Sequence, residues 1–195
     1  MRIFVMCLLS VSMISCRPVE TLHTENQNDT DQIVLTRETI QAMLDSLQCD
    51  ADNRFASDVC EHFAPDARII MYQASSHPNV GSLLELGLEE YRKELEASWS
   101  DVNAYSYLMK DIEITIQPDG KNAVVKYNAI EKTDFGVDHI RAKRIGMACC
   151  PVTVTSNITG KMSIIISDRK PKIIRSYTET ITTSEIETPI FITLK

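Results

Sequence analysis

Residues 54–72 read RFASDVCEHFAPDARIIMY, and this stretch decides the fold because it predicts a short helix, a stop and a strand. Phe55, Val59 and Phe63 recur at every fourth position, which places them on one face of a helix. Pro65 disfavours a helical conformation in the residue before it, so we expect the helix to end there. The β-branched and aromatic side chains of 68–72 then predict a strand.

Two longer helices are predicted on either side of this stretch. The first begins near Thr36, whose hydroxyl makes it a favourable N-cap residue. Its apolar stripe consists of Ile40, Met43, Leu44 and Leu47. The second spans 82–99, because Ser82 and Glu85 have the spacing of a capping box. Its core-facing stripe consists of Leu84, Leu88, Tyr91, Leu95 and Trp99.

The rest of the chain predicts strands joined by turns. Alternating apolar and polar residues at 112–116 are followed by a turn at 117–122 and a return arm at 123–132. A long strand is predicted at 151–168, with a bulge or kink at Gly160, and a last strand at 172–182. Residues 134–147 have no clear pattern. Helices before an antiparallel run of strands indicate an α+β fold.

Size and charge narrow the function classes. The chain has 195 residues, which suits one domain with short appendages. Acidic residues outnumber basic ones by 27 to 20 without a basic cluster, so nucleic acid is not an expected partner. No two of the four histidines have metal-ligand spacing, and we therefore expect no metal and no cofactor.

The first sixteen residues predict export. Arg2 and the apolar run 3–14 have the pattern of a signal peptide, assigned to 1–15. The ending Met-Ile-Ser-Cys resembles the lipobox of bacterial lipoproteins, which implies acylation of Cys16; an ordinary cleaved signal is the alternative. Arg17 is not the aspartate that retains such lipoproteins at the inner membrane. The resemblance therefore implies an outer-membrane lipoprotein facing the periplasm, or otherwise a soluble periplasmic or secreted protein.

The mature chain is divided by composition. Residues 16–34 are polar and aperiodic, which predicts the lipidated cysteine and a flexible tether. A folded domain is expected at 35–183, and the tail 184–195 could add an edge strand or cover one. An exported domain permits disulfides, but the sequence leaves open whether the cysteines are bridged or free thiols. These cysteines are Cys49, Cys60, Cys149 and Cys150.

The segment FAPDA at 63–67, the helix that ends at Trp99 and the closing IIRSY at 173–177 resemble the nuclear transport factor 2-like superfamily. The resemblance covers about residues 36–183. It implies N-terminal helices packed on a strongly bent antiparallel sheet that forms a cone. The superfamily includes ketosteroid isomerase-like and SnoaL-like, polyketide cyclase-like enzymes, together with members that only bind or scaffold. Fold alone does not choose between these functions.

The resemblance also directs attention to one cavity. The position at which isomerase-like members carry a catalytic aspartate is Met71, which cannot abstract a proton. The last strand alternates so that polar residues in the middle of one face resemble a pocket lining, although the same face could meet solvent. The candidate pocket residues are Met71, Tyr127, Arg175, Tyr177 and Glu179.

Two functions are therefore expected from different classes. The first is a non-catalytic lipoprotein that binds a small apolar ligand or an envelope protein, with Arg175 holding a polar or anionic end of the ligand. The second is an enzyme of the isomerase, cyclase or dehydratase type that uses a carboxylate in the cone, such as Glu179. Met71 favours the first. The sequence leaves open whether the chain pairs with a second copy of itself.

Overall fold

The structure, a computed structural model, describes residues 33–74, 81–135 and 152–186, with the side chains of 183–186 excepted. Several expectations lie outside the described residues. They are the signal peptide, the lipidation of Cys16, most of the tether, the segment 136–147, the state of Cys149 and Cys150, and the tail beyond 186.

Three helices and six strands make up the described fold. The helices are α1 (Arg37–Asp52), α2 (Ala56–Glu61) and α3 (Leu88–Trp99). The strands are β1 (Phe63–Ala74), β2 (Gly81–Leu86), β3 (Val102–Ile116), β4 (Asn122–Phe135), β5 (Val152–Ser167) and β6 (Lys170–Ile186). One sheet contains all six strands in the order β2-β1-β6-β5-β4-β3. The fold is α+β, as predicted.

The sheet is antiparallel, as the resemblance implies, except for one pair of strands. β1 and β6 are parallel, whereas the other neighbouring strands are antiparallel. The backbone N–H of Ile173 donates to the carbonyl of His62 at 2.9 Å, so the two parallel strands begin at the same end of the sheet. β6 also continues to Ile186, three residues beyond the predicted domain boundary at 183.

The first helix agrees with the sequence pattern. Thr36 is its N-cap, and the Thr36 hydroxyl accepts a hydrogen bond from the backbone N–H of Thr39 at 3.2 Å. The predicted stripe is buried, with Ile40 and Leu44 completely inaccessible. Capping and amphipathic spacing therefore suffice to define this element.

The short helix ends earlier than predicted. α2 stops at Glu61, Phe55 is its N-cap and is exposed, and Phe63 already belongs to β1. Pro65 lies inside β1, where the register with β6 shifts between Phe63 and Arg68. A proline without an N–H is tolerated at such an irregularity. Pairing with β6, which the local sequence does not show, converts this stretch into strand.

The helix predicted at 82–99 is wrong in its first part. Residues 81–86 form β2, which pairs with β1, and Leu84 is largely exposed. The helix begins at Leu88 because Gly87 is its N-cap and donates its backbone N–H to the Glu90 carboxylate at 2.9 Å. The stripe is core-facing only from this point. Its members there are Leu88, Tyr91, Leu95 and Trp99.

The core lies between the helices and the inner face of the sheet. Its completely buried large side chains are Ile40, Leu44, Ile69, Val125, Ile164 and Ile173. None of the helices in the described ranges combines the length and hydropathy needed to cross a membrane.

Candidate functional site

A cavity of about 470 Å³ opens between the helices and the inner face of the sheet. This volume lies within the range of small-molecule sites. One part of the lining is aromatic and comprises Phe63, Tyr72, Tyr91, Trp99, Tyr105, Tyr107, Tyr127 and Phe135. Serine and threonine hydroxyl groups come from Ser98, Thr133, Ser156, Ser176, Thr178, Thr180 and Thr182. The mixture of flat apolar surface and a few polar groups is typical of a ligand site.

A carboxylate, Glu131, lies in this cavity. Successive residues of a strand point to opposite faces, so Glu131 shares the inner face of β4 with Tyr127 and Ala129. Its side chain is half-buried. Glu131 is not among the pocket residues predicted from the sequence, although the alternation that marks Tyr127 reaches it four residues later.

Glu131 lies beside a tyrosine. The Tyr105 phenol is near both the Glu131 carboxylate and the Trp99 indole. An ionised carboxylate only accepts hydrogen bonds, so a protonated phenol is a suitable neighbour for it. Burial and the neighbouring Glu131 charge raise the pKa of Tyr105 well above its ordinary value. Tyr105 therefore remains a donor.

Two further tyrosines of the lining, Tyr107 and Tyr127, are neighbours, and burial raises the pKa of both. The Tyr127 ring lies across β5 at Gly160, where an added Cβ would come within 2.2 to 2.5 Å of three Tyr127 atoms. The register of β5 with both neighbouring strands is regular at Gly160, so the bulge that was predicted as one alternative is not found there. The missing side chain of Gly160 makes room for Tyr127 to lie over the sheet.

The residues predicted on β6 do not line the cavity. Arg175, Tyr177 and Glu179 are exposed, and none of them contributes to its lining. Ile164 pairs with Ile173 and Ser163 pairs with Arg175, so Ile174 is one extra residue on β6. Such a bulge exchanges the two faces of the strand that follows.

The exchange of faces replaces the predicted charged lining with hydroxyl groups. From the bulge onward, Ser176, Thr178, Thr180 and Thr182 line the cavity. Arg175, Tyr177 and Glu179 were expected there because the alternation from Ile173 was counted without an extra residue. Ile173 is completely buried, whereas Tyr177 is 41% exposed.

The other predicted residues have different positions. Met71 and Tyr127 both line the cavity, on β1 and β4. His62 contacts Asp50 with its Nε2 2.8 Å from the carboxylate, but neither residue lines the cavity, and the pair ties α2 to α1. Within the described ranges, no three His, Cys, Asp or Glu side chains come together as a metal site.

Comparisons with known proteins identify the fold. A nuclear transport factor 2-like protein from Cytophaga hutchinsonii matches with a TM-score of 0.52 and 16% identity, over 75% of this chain and 99% of that one. The chain has the nuclear transport factor 2-like fold. The cavity described above is therefore the interior of the cone that this fold forms.

Two further structures with the same fold carry functional names. A proposed scytalone dehydratase from Novosphingobium aromaticivorans matches with a TM-score of 0.54 and 17% identity, over 80% of this chain and 94% of that one. A hexachlorocyclohexane dehydrochlorinase from Novosphingobium barchaimii matches with a TM-score of 0.53 and 9% identity, over 82% and 94%. No family model and no curated protein matches the chain. These identities establish the fold alone.

Proposed function

We propose that the chain is an enzyme that catalyses an elimination or isomerisation on a small, largely apolar substrate in the cone. One observation carries this proposal: Glu131 places a carboxylate inside an aromatic cavity, beside the phenol of Tyr105. A positioned carboxylate in a partly desolvated site can act as a general base. The carboxylate expected from the sequence, Glu179, is replaced in this role by Glu131.

Different residues of the cavity would act as base, hydrogen-bond donor and apolar binding surface. In an elimination, Glu131 takes a proton from carbon, the C–H electron pair forms the new double bond, and the leaving group departs from the adjacent carbon with its own electron pair. Tyr127 lines the cavity and its raised pKa keeps the phenol protonated, so its O–H can donate to a substrate oxygen. The aromatic walls exclude water and bind the apolar body of the substrate.

Two of the structures with this fold support the same reaction class. One is named a dehydrochlorinase and another a proposed dehydratase, and both names describe the removal of a small molecule from neighbouring carbons. The identities of 9% and 17% carry over neither substrate nor residues. The proposal for this chain therefore rests on its own Glu131.

The test compares two isosteric substitutions. Glu131→Gln removes the base and should lower turnover by about 10²- to 10⁴-fold, the usual contribution of a general base. Glu179→Gln changes an exposed residue and should leave turnover unchanged. Purified protein would be incubated with cyclic β-hydroxy and β-halo ketones, and loss of water or hydrogen halide followed by mass spectrometry. Turnover that persists in Glu131→Gln would contradict the proposed role.

A second candidate function is binding without turnover. Met71 favours it, because this residue lines the cavity at the position where isomerase-like relatives carry a base. The described lining also contains no histidine. In this case a small apolar ligand or an envelope protein would bind, and wild-type protein would convert none of the β-hydroxy or β-halo ketones.

We further propose that the domain is anchored to the outer membrane by lipid on Cys16 and faces the periplasm. The apolar run before Ser15 and Cys16 supports this location. The polar segment from Arg17 onward would give the domain freedom to reach substrates or a partner away from the membrane surface.

A further inference from the structure

The inner face of β6 carries a row of hydroxyl groups. Ser176, Thr178, Thr180 and Thr182 occupy every second position after the bulge, and all four line the cavity. Residues two apart on a strand are separated by about 6.6 to 6.8 Å. The row therefore offers hydrogen-bonding groups at regular intervals along one edge of the cavity.

Three of these hydroxyls have no partner in the described part of the chain. Thr182 bonds to Ser156 at 3.2 Å, but Ser176, Thr178 and Thr180 make no side-chain hydrogen bond there. Ser176 is only 4% exposed. Among the described side chains, none has a fully buried nitrogen or oxygen that lacks a partner, so the Ser176 oxygen must open onto the cavity. Unpartnered hydroxyls in a largely buried wall favour a ligand that supplies oxygen atoms.

The charges of the lining exclude one kind of ligand. Glu131 and Glu94 are its carboxylates, and its described residues include no lysine, arginine or histidine. An anionic ligand would therefore enter the cavity without a positive partner, which is unfavourable in a partly desolvated site. The anionic ligand end expected from Arg175 does not fit this cavity, because Arg175 lies on the opposite face.

The lining also includes a flat aromatic wall. Tyr91 and Trp99 come from α3, and Tyr105 and Tyr107 come from β3. Trp99 and Tyr105 meet edge to face, with ring centroids 5.4 Å apart. Surfaces of this kind pack well against a planar ligand body.

We propose that the substrate is a flat, uncharged molecule with two oxygen functions on one edge, about one two-residue strand step apart. Its oxygens bond to neighbouring hydroxyls of the set Ser176, Thr178 and Thr180, and its apolar body lies against the aromatic wall. This inference rests on the cavity being the substrate site of the proposed enzyme, and it adds the substrate class.

The test uses three probes without a leaving group, so that binding is measured apart from turnover. In 2,7-dihydroxynaphthalene the two oxygens lie on one edge at about the required separation, whereas the 2,6-isomer places them on opposite edges. Naphthalene carries none. Calorimetry with the wild-type domain should show roughly tenfold tighter binding of the 2,7-isomer than of the 2,6-isomer, because the latter loses one hydrogen bond. Naphthalene should bind most weakly.

Substitutions then locate the hydroxyls responsible. Thr178→Val and Thr180→Val keep the shape of the side chain, and at least one should weaken binding of the 2,7-isomer about fivefold or more while leaving naphthalene binding unchanged. Thr115→Val is the matched control, because Thr115 is an exposed strand threonine outside the cavity lining. It should have no effect on either probe.

The outcomes separate this inference from the proposed enzyme. Equal affinity for the two isomers, no binding of the 2,7-isomer, or insensitivity to both valine substitutions would overturn the substrate class. If the isomer preference is observed but Glu131→Gln keeps full turnover, the binding role of the hydroxyl row is supported and the catalytic role of Glu131 is contradicted. If turnover depends on Glu131 but the two isomers bind equally well, the catalytic role of Glu131 is supported and the proposed substrate class is wrong.

Discussion

Two glutamates show how the position of a single residue decides its role. Glu179 lies on β6 after the bulge at Ile174 and is exposed, whereas Glu131 lies on the uninterrupted inner face of β4. Both belong to strands with regular alternation, and nothing in their local sequence separates them. The difference arises from one extra residue, which exchanges the faces of everything that follows it on β6.

Four tyrosines of the cavity, one buried and three half-buried, predict how stability depends on pH. Burial raises the pKa of Tyr91, Tyr105, Tyr107 and Tyr127 above the ordinary value of a phenol. The folded state therefore holds these protons more tightly than the unfolded chain, and this contribution to stability is complete below about pH 10. It is lost as the pH rises from there through the folded-state pKa values. We expect the free energy of unfolding to be lower at pH 11 than at pH 8.

The measurement follows phenolate absorbance during urea unfolding at both pH values. At pH 11, unfolding should be accompanied by a rise in phenolate absorbance, since buried tyrosines ionise only when exposed. Tyr127→Phe should show a smaller rise than the wild type. An absorbance that is already complete in the folded protein at pH 11 would contradict burial of these phenols.

At the scale of elements, neighbouring strands determine where helices and strands begin. Residues 82–86 have the apolar spacing of a helix, yet they pair with β1 as β2, and the helix begins only after Gly87. The N-terminal helix α1 has no such competitor, and its predicted cap and stripe are found unchanged. Local propensity is decisive where no strand partner competes for the same backbone groups.

The contact between the Tyr127 ring on β4 and Gly160 on β5 yields a second prediction. Gly160→Ala would place a Cβ within 2.2 to 2.5 Å of Tyr127 ring and hydroxyl atoms. We expect a loss of roughly 1 to 3 kcal/mol in the free energy of unfolding, because the ring must be displaced in a packed interior. In a Tyr127→Ala background the same substitution should cost little, which a double-mutant cycle by urea unfolding would show. An equal cost in both backgrounds would mean that Tyr127 is not the obstacle.

At the scale of the whole molecule, the cone is closed by contacts between distant parts of the chain. The parallel pairing of β1 with β6 joins residues more than a hundred positions apart, such as Ile69 and Ser176. It places the β6 hydroxyls beside Met71, whose register partner is Thr178, and both strands contribute to the cavity lining. The candidate site therefore exists only in the assembled sheet.

The proposed membrane anchor is tested on the complete chain. Cys16→Ser should move the protein from the membrane fraction to the soluble fraction and abolish fatty-acid labelling, because acyl chains contribute about 0.8 kcal/mol per buried CH₂. Cys49→Ser, within α1, is the control and should leave both properties unchanged. Fatty-acid labelling that survives Cys16→Ser would contradict the attachment of lipid to Cys16.

The sequence by itself determined the α+β class, helix α1 and the core-facing part of α3, because these depend on capping, periodicity and element order within short stretches. The nuclear transport factor 2-like fold was implied by the resemblance of its motifs. Only the tertiary structure decided which polar residues enter the cone. The pairing of Ser163 with Arg175 and of Ile164 with Ile173 reveals the bulge that turns Arg175 and Glu179 outward. The alternation of residues along one strand does not show a bulge, because a bulge depends on how that strand pairs with its neighbour. The hydroxyl row and Glu131 are therefore seen to share the cavity only in the folded molecule.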